Sequence, residues 1–293
     1  MAVRLCAVLL LAGAAIVTPA LADDDIPPVV GGKTYVQHLI STAMARHPGV
    51  LSIVVEGPRD AGKEVLVLGS TLGASRVFGK VDAPDTTLGG AVSPDGKRFV
   101  VREPFASNSG HRLGTMAISF AYRRGSPTKN LVAIADAISR EVARVTLSTK
   151  NAVDPYPYDA SYGTRTYAQA LTERTILRHP ELLVMMIHAT PPGKPKNVII
   201  GSNIGRIGKI ADEDDLRVID QGSTNLEIGG DNDRFETELP LLDATGKRIG
   251  ALGLVFNYRD GDDKEAIHRK GLSIRDEVAK AIANNAALFR PSR

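Results

Sequence analysis

The residues best equipped for chemistry gather in one stretch, Gly201-Ser202-Asn203-Ile204-Gly205-Arg206-Ile207-Gly208-Lys209. A hydroxyl, a carboxamide, a guanidinium and an ammonium group follow each other closely there. Arginine grips a carboxylate with a paired fork and lysine adds a point charge, so an anionic group is the natural guest. The competing reading is that these cations are solvated or ion-paired at the surface, where most Lys and Arg reside. The pattern has an earlier echo in Gly69-Ser70-Thr71-Leu72-Gly73, with Arg76 and Lys80 beyond it.

After the later stretch comes an acidic one: Asp212, Glu213, Asp214, Asp215, Asp220 and then Asp231-Asn232-Asp233. Such oxygens suit a hard cation, but no Asp-x-Asp-x-Asp-Gly loop with a distal Glu is present. Residues Asp212 to Asp215 equally resemble a helix start, where acids favour the positive end of the dipole. No metal site is expected from this spacing. Of the histidines, His47 and His179 sit at equivalent helix ends, where a cation near the last carbonyls is simply stabilising. His188 lies on a strand where the earlier copy has Glu56, and His38, His111 and His268 have no spaced partner. The sequence has no Gly-x-Ser-x-Gly elbow, phosphate-binding loop or dinucleotide fingerprint, so neither an enzyme nor a cofactor is expected.

The echo extends along the chain. Thr34-Tyr35-Val36-Gln37 matches Thr166-Tyr167-Ala168-Gln169, and Arg46-His47-Pro48 matches Arg178-His179-Pro180. After one shift of register, Arg98-Phe99, Pro104, Gly110, Gly114, Phe120, Tyr122 and Glu141-Val142 match Arg234-Phe235, Pro240, Gly246, Gly250, Phe256, Tyr258 and Glu277-Val278. Ordered matches with so few shifts mark an internal duplication.

Each copy must position these residues with the same elements. A helix (33–46; 165–178) ends at His-Pro, because the residue before proline is pushed out of the helical region. Two short strands follow (50–55 and 64–68; 182–187 and 197–200), then a Gly-rich polar segment. A hairpin comes next (99–105 with 113–122; 235–242 with 249–258), and a closing helix ends the copy (129–147; 262–289). This order predicts an α+β module, an antiparallel sheet with its helices on one side. The intervening segment 149–164, with Asp154-Pro155-Tyr156-Pro157-Tyr158, suits a stiff spacer or a set of tyrosines packed between the modules.

The chain has 293 residues with 36 basic and 33 acidic side chains spread along it, a net charge of +3. Without a basic stripe, nucleic acid is not an expected partner. Residues 1–22 read as an export signal, with Arg4, an apolar run and Ala20-Leu21-Ala22; a retained anchor is the alternative. Cleavage would remove Cys6, the one cysteine, and with it any disulfide, thiolate or cysteine-metal chemistry. The division expected is a signal at 1–22, modules at 23–148 and 165–293, and a linker at 149–164, in a periplasmic or secreted protein.

The run from Leu241 through Asp243-Ala244-Thr245-Gly246 to Gly250-Ala251-Leu252-Gly253-Leu254 resembles the final hairpin of Cache domains, which are extracytoplasmic PAS-like sensor modules. Gly201 to Lys209, with Asp212 to Asp220 after it, is similar to the segment such modules carry over their pocket. A helix before each copy suggests two single-Cache-like modules in tandem. The resemblance implies a pocket between the sheet and the crossing segment. In the second copy that pocket would be lined by Ser202, Asn203, Arg206, Lys209 and Tyr258. Ser70, Thr71, Arg76, Lys80 and Tyr122 are the counterparts in the first. It further implies capture of a small anionic or zwitterionic ligand and its presentation to a membrane receptor or transporter. A scaffold for envelope proteins, with filled pockets, is the alternative function.

Overall fold

The structure, a computed structural model, describes residues 33–58, 64–229 and 232–292. The expected export signal lies outside them. The elements run β1 (Lys33–Thr34), α1 (Tyr35–Arg46), β2 (Val50–Pro58), β3 (Val65–Ser70), β4 (Gly89–Val92), β5 (Arg98–Ala106), β6 (Arg112–Ala121) and α2 (Lys129–Ala143). Then come α3 (Thr149–Ala152), β7 (Pro155–Tyr156), α4 (Tyr167–Arg178), β8 (Leu182–Ala189), β9 (Val198–Ser202), α5 (Glu213–Gln221), β10 (Asn225–Gly229), β11 (Arg234–Leu242), β12 (Arg248–Asn257), α6 (Lys264–Lys280) and α7 (Asn285–Leu288).

Two five-stranded antiparallel sheets result, ordered β3-β2-β6-β5-β4 and β9-β8-β12-β11-β10. Their topologies are identical, and each hairpin strand sits where the duplication places it. Alternation along the strands gives each sheet an apolar face. In the first, Ile53, Val55, Val101, Met116 and Ile118 pack against Ile40 of α1 and Ile138 of α2. In the second, Met185, Ile187, Leu239, Leu252 and Leu254 pack against Leu171 of α4 and Ile274 of α6.

The repeated sequence words prove to be joints of this scaffold. Thr34 and Thr166 cap α1 and α4 by accepting from the backbone N–H of Gln37 and Gln169. Their hydroxyls donate onward to the carbonyls of Leu68 and Ile200. The Gln37 and Gln169 carboxamides accept from the N–H of Ser70 (2.7 Å) and Ser202 (2.9 Å), tying each helix to the end of its edge strand. At the other end, Arg46 and His47 both reach Glu141 of α2, at 2.6 and 3.8 Å. Arg178 and His179 reach Glu277 of α6 in the same way, at 2.5 and 3.0 Å. The Arg-His-Pro word thus clamps the first helix of each copy to the last. Gly114 and Gly250 are equivalent for a steric reason: an added Cβ would collide with the carbonyl oxygen of Glu56 or His188 on the neighbouring strand.

Three features differ from the expectation. The strands β4 and β10 form the outer edge of each sheet inside what reads as irregular polar sequence. The last helix of the second copy is two helices, α6 and α7, broken at 281–284. Finally, the helices of the second copy are not all on one side. The helix α5 lies across the opposite face, where Asp215 comes within 3.3 Å of His188, a residue whose strand neighbours Ile187 and Ala189 point into the core.

The segment 149–164 carries α3 and β7, and β7 pairs with β1. Tyr156 stacks on His38 with 4.0 Å between ring centroids. Between the two sheets, Leu147 packs with Val184, Ile204 and Val255. Asn108 donates to the Leu183 carbonyl, and Asn151 to that of Ile204.

Candidate functional site

The sequence-derived candidates fall into two groups. Ser202 and Ser70 are buried, and each accepts from the N–H two residues ahead, Ile204 and Leu72, closing a tight turn. The Asn203 side chain donates to Leu183 O and accepts from Met185 N, both at 2.9 Å. Thr71 performs the same task on Ile53. Tyr258 lies 5.9 Å from Phe235, and Tyr122 6.0 Å from Phe99, at the same tilt, so this ring pair belongs to the shared scaffold. Arg76 is exposed in a single 3-10 turn, and Lys80 pairs with Glu64 in solvent at 3.3 Å.

Arg206 and Lys209 are placed differently. The Nε of Arg206, only 15% exposed, donates to Asp154 Oδ2 at 2.9 Å, so this cation ties the crossing segment to the chain between the modules. Lys209 approaches Asp212 at 4.0 Å beside the start of α5.

What the two copies do not share lies beneath α5. On the face of the second sheet turned away from its core, the pairing sets His188 opposite Ala251, Met186 opposite Gly253, and Gly253 opposite Glu238. Glu236 sits on the same face of β11. By the same pairing the first sheet has Glu56, Ala117, Arg102 and Val100 in place of His188, Gly253, Glu238 and Glu236. Gly253 supplies room: a Cβ there would come within 3.3 Å of Glu236 Oε1 and Met186 Cε.

The helix that covers this face starts with a reciprocal cap, Asp212 accepting from the N–H of Asp215 and Asp215 accepting from that of Asp212. It ends at Gly222, whose φ of 73° needs a residue without a Cβ. Along its length it buries only Asp215 and Val218. It is therefore held to the sheet by one apolar side chain, by whatever its carboxylate meets, and by Arg248 of β12, which donates to the Asp220 carbonyl at 2.9 Å.

That carboxylate meets an electrostatic cluster. His188 is buried, with Nδ1 3.3 Å from Asp215 Oδ2 but not aligned as a hydrogen bond. Neither ring nitrogen has a hydrogen-bond partner among the described residues. Burial lowers its pKa and keeps the imidazole neutral, against the pull of Asp215 and Asp212. Glu238, 4% exposed, is raised by burial and by its hydrogen bond to Asp215, so it holds the proton of that pair. For Asp215, burial works against ionisation, but the hydrogen bonds from Glu238 and from the Asp212 backbone, with Lys209 nearby, outweigh it and the pKa is lowered. Glu236 is pushed up to about 7, chiefly by burial and then by Glu227 and Asp215. One fixed negative charge, one shared proton and two open ring nitrogens thus sit buried together, beside a half-buried carboxyl titrating near neutrality.

His188, Glu236 and Glu238 have no like counterpart in the first copy, so side chains repeated in both copies do not point to them. The available signal was the reverse, ionisable residues at one copy's strand positions where the other copy has a different chemistry. In the first copy, residues 77–88 form no helix over the corresponding face. There Arg102 pairs with Asp85 at 3.0 Å, half open to solvent. Among the described residues no group of three His, Cys, Asp or Glu is arranged to hold a metal ion, and no helix is long and apolar enough to cross a membrane.

No protein-family model matches the chain, and no curated protein matches it. Among solved structures, the E. coli DhaR(N)–DhaL complex aligns at 12% identity and a TM-score of 0.27, over 77% of this chain and 85% of that one. A double mutant of the PobR transcription factor inducer-binding domain from Acinetobacter, in complex with 3-hydroxybenzoic acid, aligns at 12% identity and a TM-score of 0.18, over 85% and 95%. Likenesses this low carry no argument about fold or ligand.

Proposed function

We propose that this chain is an exported small-molecule-binding protein of two tandem Cache-like modules, in which the second module closes α5 over a small zwitterion. The observation that carries the reading is His188, a buried imidazole with no hydrogen-bond partner, set among carboxyl groups beneath α5. Buried polar atoms without partners are rare in native proteins, and a bound ligand is one of the few things that satisfies them. Asp215 and an ionised Glu236 supply the negative charge an ammonium group needs. Lys209 lies close enough to act on His188 and supplies the positive charge for a carboxylate, while Arg206 stays paired with Asp154. The shared joints, Ser202, Asn203 and Tyr258, position the walls without touching the guest. Capture in an extracytoplasmic compartment, followed by presentation to a membrane receptor or transporter, fits a binding module of this kind.

The test is a thermal-shift screen of the twenty amino acids and related small zwitterions at about pH 8, where Glu236 is ionised. The reading expects at least one compound to raise the melting temperature of the wild type and to lose that effect with Asp215→Asn. No shift with any compound, or a shift that Asp215→Asn leaves intact, overturns it. In the first module the edge strand β4 is fully exposed, beside Leu88 and with Val92 on it, and an open edge of this kind favours pairing with a partner protein. For that module the interaction reading therefore stands; pull-down of envelope proteins that fails to weaken on Ala91→Pro would remove it.

A further inference from the structure

A second recess lies away from α5, between the two modules. It is a groove of about 960 Å³, with α1 and the last turns of α2 on one side and the end of α4 with the start of β8 on the other. Its volume falls in the range of about 300–1,000 Å³ that holds small ligands. The two walls differ in chemistry.

From the first module, Arg46, Arg140 and Arg144 reach the groove. Arg140 stands in the last turn of α2 and Arg144, still helical in φ and ψ, caps its end four residues on, hence on the same face. Arg46 is paired with Glu141 and Arg140 with Asp136, whereas the Arg144 guanidinium has no ion-pair partner among the described residues. From the second module come Ile176, Leu177 and Leu182. Leu177 is 74% exposed, more than any other large apolar side chain among the described residues. Arg46 recurs as Arg178 and Arg144 as Lys280, but Arg140 and Leu177 have no like counterpart in the other copy. The register that pairs Glu141 with Glu277 puts Asp276 at the place of Arg140, and the one that pairs Arg46 with Arg178 puts Ala45 at the place of Leu177.

We infer that this groove is a second ligand site, distinct from the face beneath α5, and that it takes an anionic amphiphile: a carboxylate on an aliphatic body. The arginines meet the carboxylate by charge-assisted hydrogen bonds, with Arg144 as the unengaged donor. Leu177 and Ile176 cover the aliphatic body and are themselves removed from water by it. Because the walls belong to different modules, such a guest bridges them and adds to the contacts that already join them, among them those of Leu147, Asn108 and Asn151.

The test is isothermal titration of the intact protein with decanoate, with decan-1-ol as a probe carrying the same chain without the charge. Decanoate is expected to bind saturably and more tightly than decanol. Arg144→Ala is expected to weaken decanoate about fivefold or more, the loss of one charge-assisted contact, while leaving decanol unchanged. Leu177→Asn weakens both probes. Arg144 is exposed and makes no ion pair, so its removal leaves the fold intact, which an unchanged melting temperature verifies. Asp215→Asn leaves decanoate binding as it is, which separates this site from the one beneath α5. Absence of saturable decanoate binding at millimolar concentration overturns the inference, as do equal binding of decanoate and decanol or wild-type affinity in Arg144→Ala.

Discussion

Replacing Glu236 by glutamine isolates one group of the cluster beneath α5 and gives a signed, measurable effect. Its carboxyl moves from the ordinary 4.5 to about 7 in the folded protein. Burial is the main cause, followed by Glu227 on β10, Asp215 and Asp212 at the start of α5, and the opposing pull of Arg206. A carboxyl raised on folding binds its proton more tightly in the folded state. Stability contributed by the neutral form is complete below about pH 4.5 and is lost as pH rises towards 7. At about 1.4 kcal/mol per pH unit, the interval between 4.5 and 7 caps that loss at about 3.4 kcal/mol. Glu236 keeps part of its surface in water, so screening and relaxation bring the expected value to about 1–2 kcal/mol. Glu236→Gln carries no proton to lose. Urea unfolding from about pH 5 to about pH 8 should show the wild type falling relative to the variant by that amount, most steeply near pH 6. Parallel stability curves for the two proteins would refute the reasoning, because they would mean that this carboxyl is ionised as freely in the folded chain as in the unfolded one.

Further outcomes follow from the same site and its scaffold. The buried His188 has a lowered pKa, so its stabilising effect is full above about pH 6.5 and falls as pH drops below it; His188→Gln should flatten the acid side of the same stability curve, and an unaltered acid limb counts against a neutral buried imidazole. Gly250→Ala should fail to fold or lose more than about 3 kcal/mol, since its Cβ meets a backbone oxygen, whereas Gly253→Ala should fold and alter ligand response only, as side chains can yield there; circular dichroism melting compares the two. Gln169→Leu and Gln37→Leu should each cost about 1–3 kcal/mol by stranding the N–H of Ser202 or Ser70, and a clear inequality in denaturant midpoints would break the equivalence of the two joints. Val218→Ala should speed amide exchange in α5 without a matching change in α6, because that side chain is the only buried apolar anchor of α5.

The scaffold was readable because a duplication prints it twice. Wherever both copies keep a Thr cap, a Gln, an Arg-His-Pro turn or a Gly opposite a carbonyl, the physical reason is a joint that any copy of the fold must make. Element order, both hairpins and the apolar strand faces followed from the same signal with ordinary periodicity rules. The strands β4 and β10 escaped because they are short edges, Gly89–Val92 and Asn225–Gly229, with little alternation to mark them. The helix α5 was half visible, since Asp212 to Asp215 carried the acids of a helix start. What could not be read was its side of the sheet, which depends on Val218 and Asp215 meeting residues far away in sequence.

The site inverted the same logic. Repetition drew attention to Ser202, Asn203 and Tyr258, whose recurrence reflects structure, and away from His188, Glu236 and Glu238, whose counterparts are Glu56, Val100 and Arg102. In a duplicated chain the joint must be conserved between copies for each to fold, while a binding site needs to exist only once. Arg206 shows a further limit: its fork suits a carboxylate, but the carboxylate it meets is Asp154 of its own chain, brought near by α3 and β7.

The central claim is that binding resides beneath α5 of the second module, and hydrogen exchange of the intact protein tests it most directly. Amides of 213–221 are followed with and without an equimolar mixture of small zwitterions, alongside those of 77–88 in the first module. The account predicts that α5 exchanges faster than α6 in the free protein and slows when the mixture is added, while 77–88 stays as it was. An α5 as protected as α6 and indifferent to the mixture, or equal slowing in both modules, would contradict it.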